Sequence, residues 1–161
     1  MAGANNGLTL GFRADASVRV FKFSAMVQST ANTSTQSQQF AAVPGGPNAP
    51  GVLGVTIEHF VEPNFFVPQG TNPTTVTGTT PTLYNLENRG MTLQVNGVAR
   101  CIAASPINQG QLVNIADNYG RVKAVNEAAG TTVYPVGMAL HNVVNVNDFV
   151  QVELNFAQTK V

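Results

Sequence analysis

Few side chains here can do chemistry, and their spacing decides what they could do. The sequence holds two histidines, His59 and His141, and one cysteine, Cys101. Glu58 and Glu62 flank His59, which sketches a His/carboxylate metal site. A divalent cation needs three or four converging ligands, and neither a His-x-His pair nor a Cys/His spacing supplies them. The two histidines read instead as strand-end residues, because each follows an apolar run containing a glycine (Gly54, Gly137). No metal and no cofactor is expected. Cys101 sits in Val98-Ala99-Arg100-Cys101-Ile102-Ala103-Ala104, which is mostly apolar. A catalytic thiolate wants positive surroundings and a partnered histidine. Arg100 is adjacent, but on a strand it points to the opposite face. Cys101 is therefore expected to be a buried small hydrophobe. As the single cysteine it also excludes an intramolecular disulfide framework.

Hydrolytic chemistry finds no better support. No Gly-x-Ser-x-Gly elbow is present. Ser105 precedes Pro106 and Ser24 lies beside Ala25, so neither occupies a nucleophile turn. Nothing among the eight acidic residues singles out a pair for glycoside hydrolysis. Gly45-Gly46 is bracketed by Pro44 and Pro47, and no helix start follows to make a phosphate cradle. Tyr119 falls at a hairpin tip, where it is either a plain exposed turn residue or a contact to a ligand or neighbouring chain. No catalytic residue is expected, and the chain is not read as an enzyme.

The elements that would position any site are β-strands. The chain has 161 residues, 43% of them hydrophobic, 10% charged, and a formal net charge of zero. Holding several phosphates needs clustered surplus Lys and Arg, so no nucleic-acid partner is expected. A polybasic membrane anchor is excluded likewise, and no apolar run approaches the ~20 residues that span a bilayer. The first residues lack the basic and apolar regions of a secretory signal, so assembly in a cytoplasm is the expectation. So few charges give little protection from self-association, which suits a surface buried in an assembly.

Residues 1–14 read as an extended N-terminal arm, with Leu8, Leu10 and Phe12 alternating along one edge as strand addition to a neighbour requires. Residues 15–161 read as a β-rich domain. Strands are expected in residues 17–23, 25–28, 39–43 and 52–60, with a polar loop over 29–39 and a breaker cluster over 44–51. A Pro/Thr-rich insertion covers about residues 61–86 and carries the aromatic cluster Phe65-Phe66-Val67. Asn96-Gly97 predicts a two-residue hairpin between residues 91–95 and 98–102. Asp117-Asn118-Tyr119-Gly120 predicts a second between residues 111–116 and 121–125. Residues 134–140 and 149–156 complete the strands, the last with Val150, Val152, Leu154 and Phe156 alternating with polar residues. No amphipathic helix is predicted. A faint repeat relates residues 25–59 to residues 111–141: a hairpin, a loop, then a strand with a glycine in an apolar run. Such a glycine marks a bulge or a close backbone approach. Chance similarity between two β-meanders is the alternative.

The order of elements in the C-terminal half carries a resemblance. Asn108-Gln109-Gly110-Gln111-Leu112-Val113 leads to Gly120-Arg121-Val122-Lys123-Ala124, then Pro135-Val136-Gly137-Met138-Ala139 and Asp148-Phe149-Val150-Gln151-Val152-Glu153-Leu154. This resembles the head decoration, or capsid cement, proteins of tailed bacteriophages over about residues 91–156, with a weaker echo in residues 25–60. The resemblance implies an all-β fold, a compact β-barrel or β-sandwich of short antiparallel strands. It implies a homo-oligomer, commonly a trimer, on the outer capsid surface of the virion. There it would bind the major capsid protein and bridge adjacent capsomers near three-fold or quasi-three-fold points. Leu8, Leu10, Phe12, Phe65, Phe66 and Val67 are the candidate shell or oligomer contacts. The rival reading is a carbohydrate- or cell-surface-binding β-sandwich module displayed on a particle.

Overall fold

Alternation of buried and exposed side chains builds this chain. In β11 (Phe149–Leu154), Val150 and Val152 are fully buried while Gln151 and Glu153 face outward, the period-2 pattern of a half-buried strand. The computed structural model describes residues 7–14, 23–29, 41–57 and 90–160, and every regular element among them is a strand.

The strands form two units. In the first, β1 (Thr9–Ala14), β2 (Ala25–Gln28), β3 (Ala41–Pro44), β4 (Val52–Thr56) and β5 (Gly90–Gln94) close a barrel in the order β1-β3-β2-β4-β5. In the second, β6 (Val98–Ile102), β7 (Leu112–Ile115), β8 (Val122–Ala124), β10 (Pro135–Ala139) and β11 make a sheet in the order β6-β11-β10-β7-β8. The short β9 (Thr132–Val133) and β12 (Thr159–Lys160) pair separately.

The two units share one topology. Read from the third strand, β3-β2-β4-β5-β1 and β8-β7-β10-β11-β6 are the same arrangement. In each, the first strand pairs antiparallel with the last. The chain of the first strand then meets the third strand in parallel, through Arg13↔Ala41 and Ala14↔Ala42 in one unit and the single bridge Ala103↔Val122 in the other. The bulges coincide too. Pairing of β2 with β4 skips Leu53 between Gly54 and Val52, and pairing of β7 with β10 skips Val136 between Gly137 and Pro135. The faint sequence repeat is thus a repeat of strand order, register and bulge.

The repeated glycines explain themselves at this point. A Cβ on Gly54 would lie 2.5 Å from the Gln94 carbonyl oxygen, and one on Gly137 would collide with the Glu153 carbonyl oxygen. Each bulge presses the middle strand against its neighbour, and only a residue without a side chain fits there.

Two expectations are corrected. Residues 91–95 and 98–102 are not a hairpin. β5 pairs with β1 and β4, β6 pairs with β11, and Asn96-Gly97 joins the two units. Gly97 has φ +82°, but Asn96 is not in the left-handed region, so the type I′ geometry is absent. The buried Gln94 amide instead donates to the carbonyls of Asn96 (3.1 Å) and Val98 (2.8 Å), bracing the corner. Second, the alternating segment expected to be an arm is β1, and the sheet it joins is the chain's own, with Leu10 opposite Leu93 and the Val95 N–H donating to Leu8 O at 2.8 Å. Any arm would have to lie in residues 1–6, outside the described part. The second predicted hairpin stands as β7–β8, with Ile115 opposite Val122 and Gly120 at φ +73°. The strand expected over residues 17–23 falls outside the described residues except for Phe23.

One core joins the units. Ala25, Val27 and Val55, on the outer face of the first barrel, pack with Ala99, Cys101, Val113, Ile115, Val122, Val136, Val150 and Val152. Hydrogen bonds lock the seam. Ala25 N–H donates to Gly120 O (2.8 Å), Ser24 Oγ to Tyr119 O (2.8 Å) and Asn48 N–H to Ile115 O (2.9 Å).

Gly54→Ala and Gly137→Ala are each expected to lower stability by about 1–3 kcal/mol, the usual cost of overpacking. Denaturant titration checks this, and unchanged midpoints for both would show that the close approach has room to spare.

Candidate functional site

The face of β1 that alternation predicted does line a groove. Leu10 is 47% exposed and Phe12 is buried, and together with Gln28, Val52, Leu53, Val95 and Phe156 they surround a cavity of about 390 Å³. Registers place Ala99, Cys101, Ile115, Pro135 and Val136 at the equivalent positions of the second unit. All of these are buried, so the interior that is filled in the second unit opens into an apolar groove in the first. Leu8, just before β1, is 59% exposed.

Phe65, Phe66 and Val67 lie outside the described residues. Their place in chain order is informative all the same. They belong to residues 57–89, the connection from β4 to β5, and the equivalent connection in the second unit is residues 140–148 between β10 and β11. That shorter connection carries Val144 and Val146, both strongly exposed, and leads to the half-exposed Phe149. Its base is held by Ile107 and Val143, each N–H donating to the other's carbonyl (2.9 and 2.7 Å). The Asn147 N–H donates to Ala103 O at 2.7 Å. Asn145 Nδ2 reaches Asp148 Oδ2 at 3.0 Å. Backbone pinned in this way presents the valines on a firm base. Sequence reasoning passed over them because nothing local in Val143-Val144-Asn145-Val146 marks which valines face outward.

The polar groups serve the fold. Arg121 Nε donates to Asp117 Oδ2 (2.6 Å) and its Nη1 to Asn147 Oδ1 (2.7 Å), tying the β7–β8 turn to the β10–β11 connection. Tyr119 is half-buried, and its carbonyl takes the Ser24 hydroxyl, so both residues act at the seam between units. Beneath residues 125–134, Asn114 Nδ2 donates to Glu127 Oε1 (2.7 Å), and Lys123 Nζ pairs with the same oxygen (2.9 Å). Burial alone would push the Glu127 carboxyl up. The hydrogen bonds from Asn114, Lys123 and the backbone outweigh it and hold the group below the usual carboxylate range. Their stabilisation is present above the unfolded carboxyl's pKa and lost as pH falls through the folded one.

His59, Glu58 and Glu62 are outside the described residues. His141 Nε2 lies 3.2 Å from the Phe149 carbonyl oxygen. Among the described residues, no three His, Cys, Asp or Glu side chains converge on a point where a metal could sit. Cys101 is fully buried, and desolvation pushes its thiol up to about 12.

No family model and no curated protein matches the sequence. The fold is that of a known class all the same. It is similar to the head fiber gp8.5 N base of bacteriophage phi29, with a TM-score of 0.55 and 12% identity. The match covers 96% of this chain and 98% of that one, so both units take part. At that identity the likeness is one of fold.

The state of Cys101 is directly measurable. At pH 8 a maleimide or disulfide probe is expected to label it only after denaturant is added, because the folded thiol keeps its proton. The unfolded thiol ionises near 9 and the folded one near 12, so Cys101 makes stability fall as pH rises across that interval.

Proposed function

We propose that this chain is a structural protein of a bacteriophage virion, seated on the outer surface of the head and stabilising the shell by bridging adjacent capsomers. The observation that carries the reading is the fold-wide similarity to a head fiber base, over almost the full length of both chains. The sequence resemblance to head decoration proteins points the same way. The partner is the major capsid protein, and the chain acts as a homo-oligomer, a trimer in the pattern of that family.

The physics needs no catalysis. A ligand that binds the assembled lattice and not its separated subunits stabilises assembly by RT ln(1 + [L]/Kd), about 4 kcal/mol per site at a thousand-fold excess over Kd. An oligomer touching several capsomers gains further through effective concentration. Low charge fits this role, because an apolar, uncharged surface desolvates cheaply against a partner.

The contacts are assigned to the matching connections of the two units. Phe65, Phe66 and Val67 supply apolar anchors from the first and Val144 and Val146 from the second. Leu8 and Leu10 flank the groove on the barrel wall. Deleting residues 1–13 does not test an arm, because it removes nearly all of β1 and opens the barrel.

The cleaner test is charge at the exposed tip. Val144→Asp combined with Val146→Asp is expected to leave the melting curve nearly unchanged, since both side chains are exposed. Occupancy on purified heads, read by co-sedimentation and electron cryo-microscopy, is expected to fall about tenfold or more. Full occupancy by the double variant would remove this connection from the interface. Absence of wild-type binding to any head would remove the function.

A further inference from the structure

The repeat puts the outer faces of the two units in residue-by-residue correspondence. Registers place Ala25 with Leu112, Val55 with Met138, Gln94 with Glu153 and Thr9 with Val98. In the first unit three members of this cross-strand row are covered, with Ala25 0%, Val55 1% and Gln94 1% exposed, while Thr9 at its end is open. What covers Ala25 and Val55 is the second unit, through Gly120 and the shared core. In the second unit the same row runs across β7, β10, β11 and β6 and is open, with Leu112 39%, Met138 38% and Val98 40% exposed.

We propose that this open row docks the first unit of another copy of the chain, repeating between molecules the contact that the two units make within one. The proposal rests on the reading of the chain as a self-associating head protein and specifies the surface it uses. A second copy is the occupant because, among the described residues, what covers this face in its equivalent position is a unit of the same fold. Leu112 and Met138, apolar side chains directly opposite each other on adjacent strands, would otherwise stand partly in water, on a protein with few charges to keep it apart. The contact is head to tail, because the donor face belongs to the second unit and the receiving unit is the first. Such a contact closes into a ring when its rotation allows, so that a chain of two like units places twice as many units as copies around the axis.

Glu153 tempers the contact. Its counterpart Gln94 donates from its amide to two carbonyls, which a carboxylate cannot do. The contact therefore centres on Leu112 and Met138, with Glu153 and, beyond it, Val98 at the rim, where the carboxylate stays hydrated.

Sedimentation equilibrium on the full chain is the test. Wild type is expected to form one discrete oligomer. Leu112→Glu with Met138→Glu is expected to raise the dissociation constant at least about 30-fold while the protein stays folded by circular dichroism. Ala129→Glu, in the exposed turn before β9, is expected to leave it unchanged. If the charged pair fails to fold, Leu112→Ala with Met138→Ala carries the test, with a smaller shift in the same direction. A wild type that stays monomeric, or an oligomer indifferent to both pairs, overturns the proposal. Co-sedimentation with heads separates the two readings. A monomer that still decorates heads sinks only this inference, and an oligomer that ignores them sinks only the proposed function.

Discussion

The fold depends on how the first barrel seats on the second sheet. Ala25, Val27 and Val55 are outward-facing residues of their own unit, yet all three are buried, Ala25 and Val55 as fully as any residue of the core. Their burial is possible because Gly120 brings the β7–β8 turn against β2. Its backbone has φ +73°, and a Cβ there would lie 2.5 Å from the Ala25 carbonyl oxygen. The positive φ and the close approach fall on one residue, so the turn that shapes the hairpin also makes the joint. Asn48 fastens the other side. Its Oδ1 accepts from Tyr134 N–H (3.0 Å) and its Nδ2 donates to Thr132 O (3.0 Å). Two small units, each with a thin interior, thereby share one hydrophobic core and gain the buried area that neither has alone.

What could be read from the sequence follows from how local each signal is. The alternation in β11 was legible because one face of it is buried along its whole length. The β7–β8 hairpin was legible because a glycine with a demanding backbone sits at its tip. The repeat was legible through Gly54 and Gly137, whose neighbours leave no room for a side chain. Partner choice was not legible. Residues on both sides of Asn96-Gly97 have strand character, and nothing local says that β5 belongs with β4 and β1 while β6 belongs with β11. That choice is settled by closing the ring and by the Gln94 amide, which ties up the carbonyls of Asn96 and Val98. β1 was misread for the same reason, since its alternation suits any sheet edge and its own chain happens to supply one. The candidate site was harder still. Exposure of Leu112 and Met138 has meaning only beside the burial of Ala25 and Val55, a comparison that needs both units in three dimensions.

On the proposed function the protein acts by adhesion, and its parts divide accordingly. The doubled scaffold is rigid where bulges and glycines press strands together. In chain order the connection from β4 to β5 covers residues 57–89, against residues 140–148 between β10 and β11. The difference in length leaves the registers of the flanking strands equivalent. Loops mounted on a fixed frame are where proteins commonly vary their contacts. The same frame would serve different surfaces through changes in that loop alone.

The ring closure of the first unit also has a bearing on synthesis. β1 has as its neighbours β3, at residues 41–44, and β5, at residues 90–94, so its two edges cannot both be satisfied until the ribosome has passed that point. The second unit draws all of its strands from residues 98–154, a shorter span with shorter loops to close. The N-terminal half of the polypeptide therefore waits, incompletely paired, for translation to reach its middle.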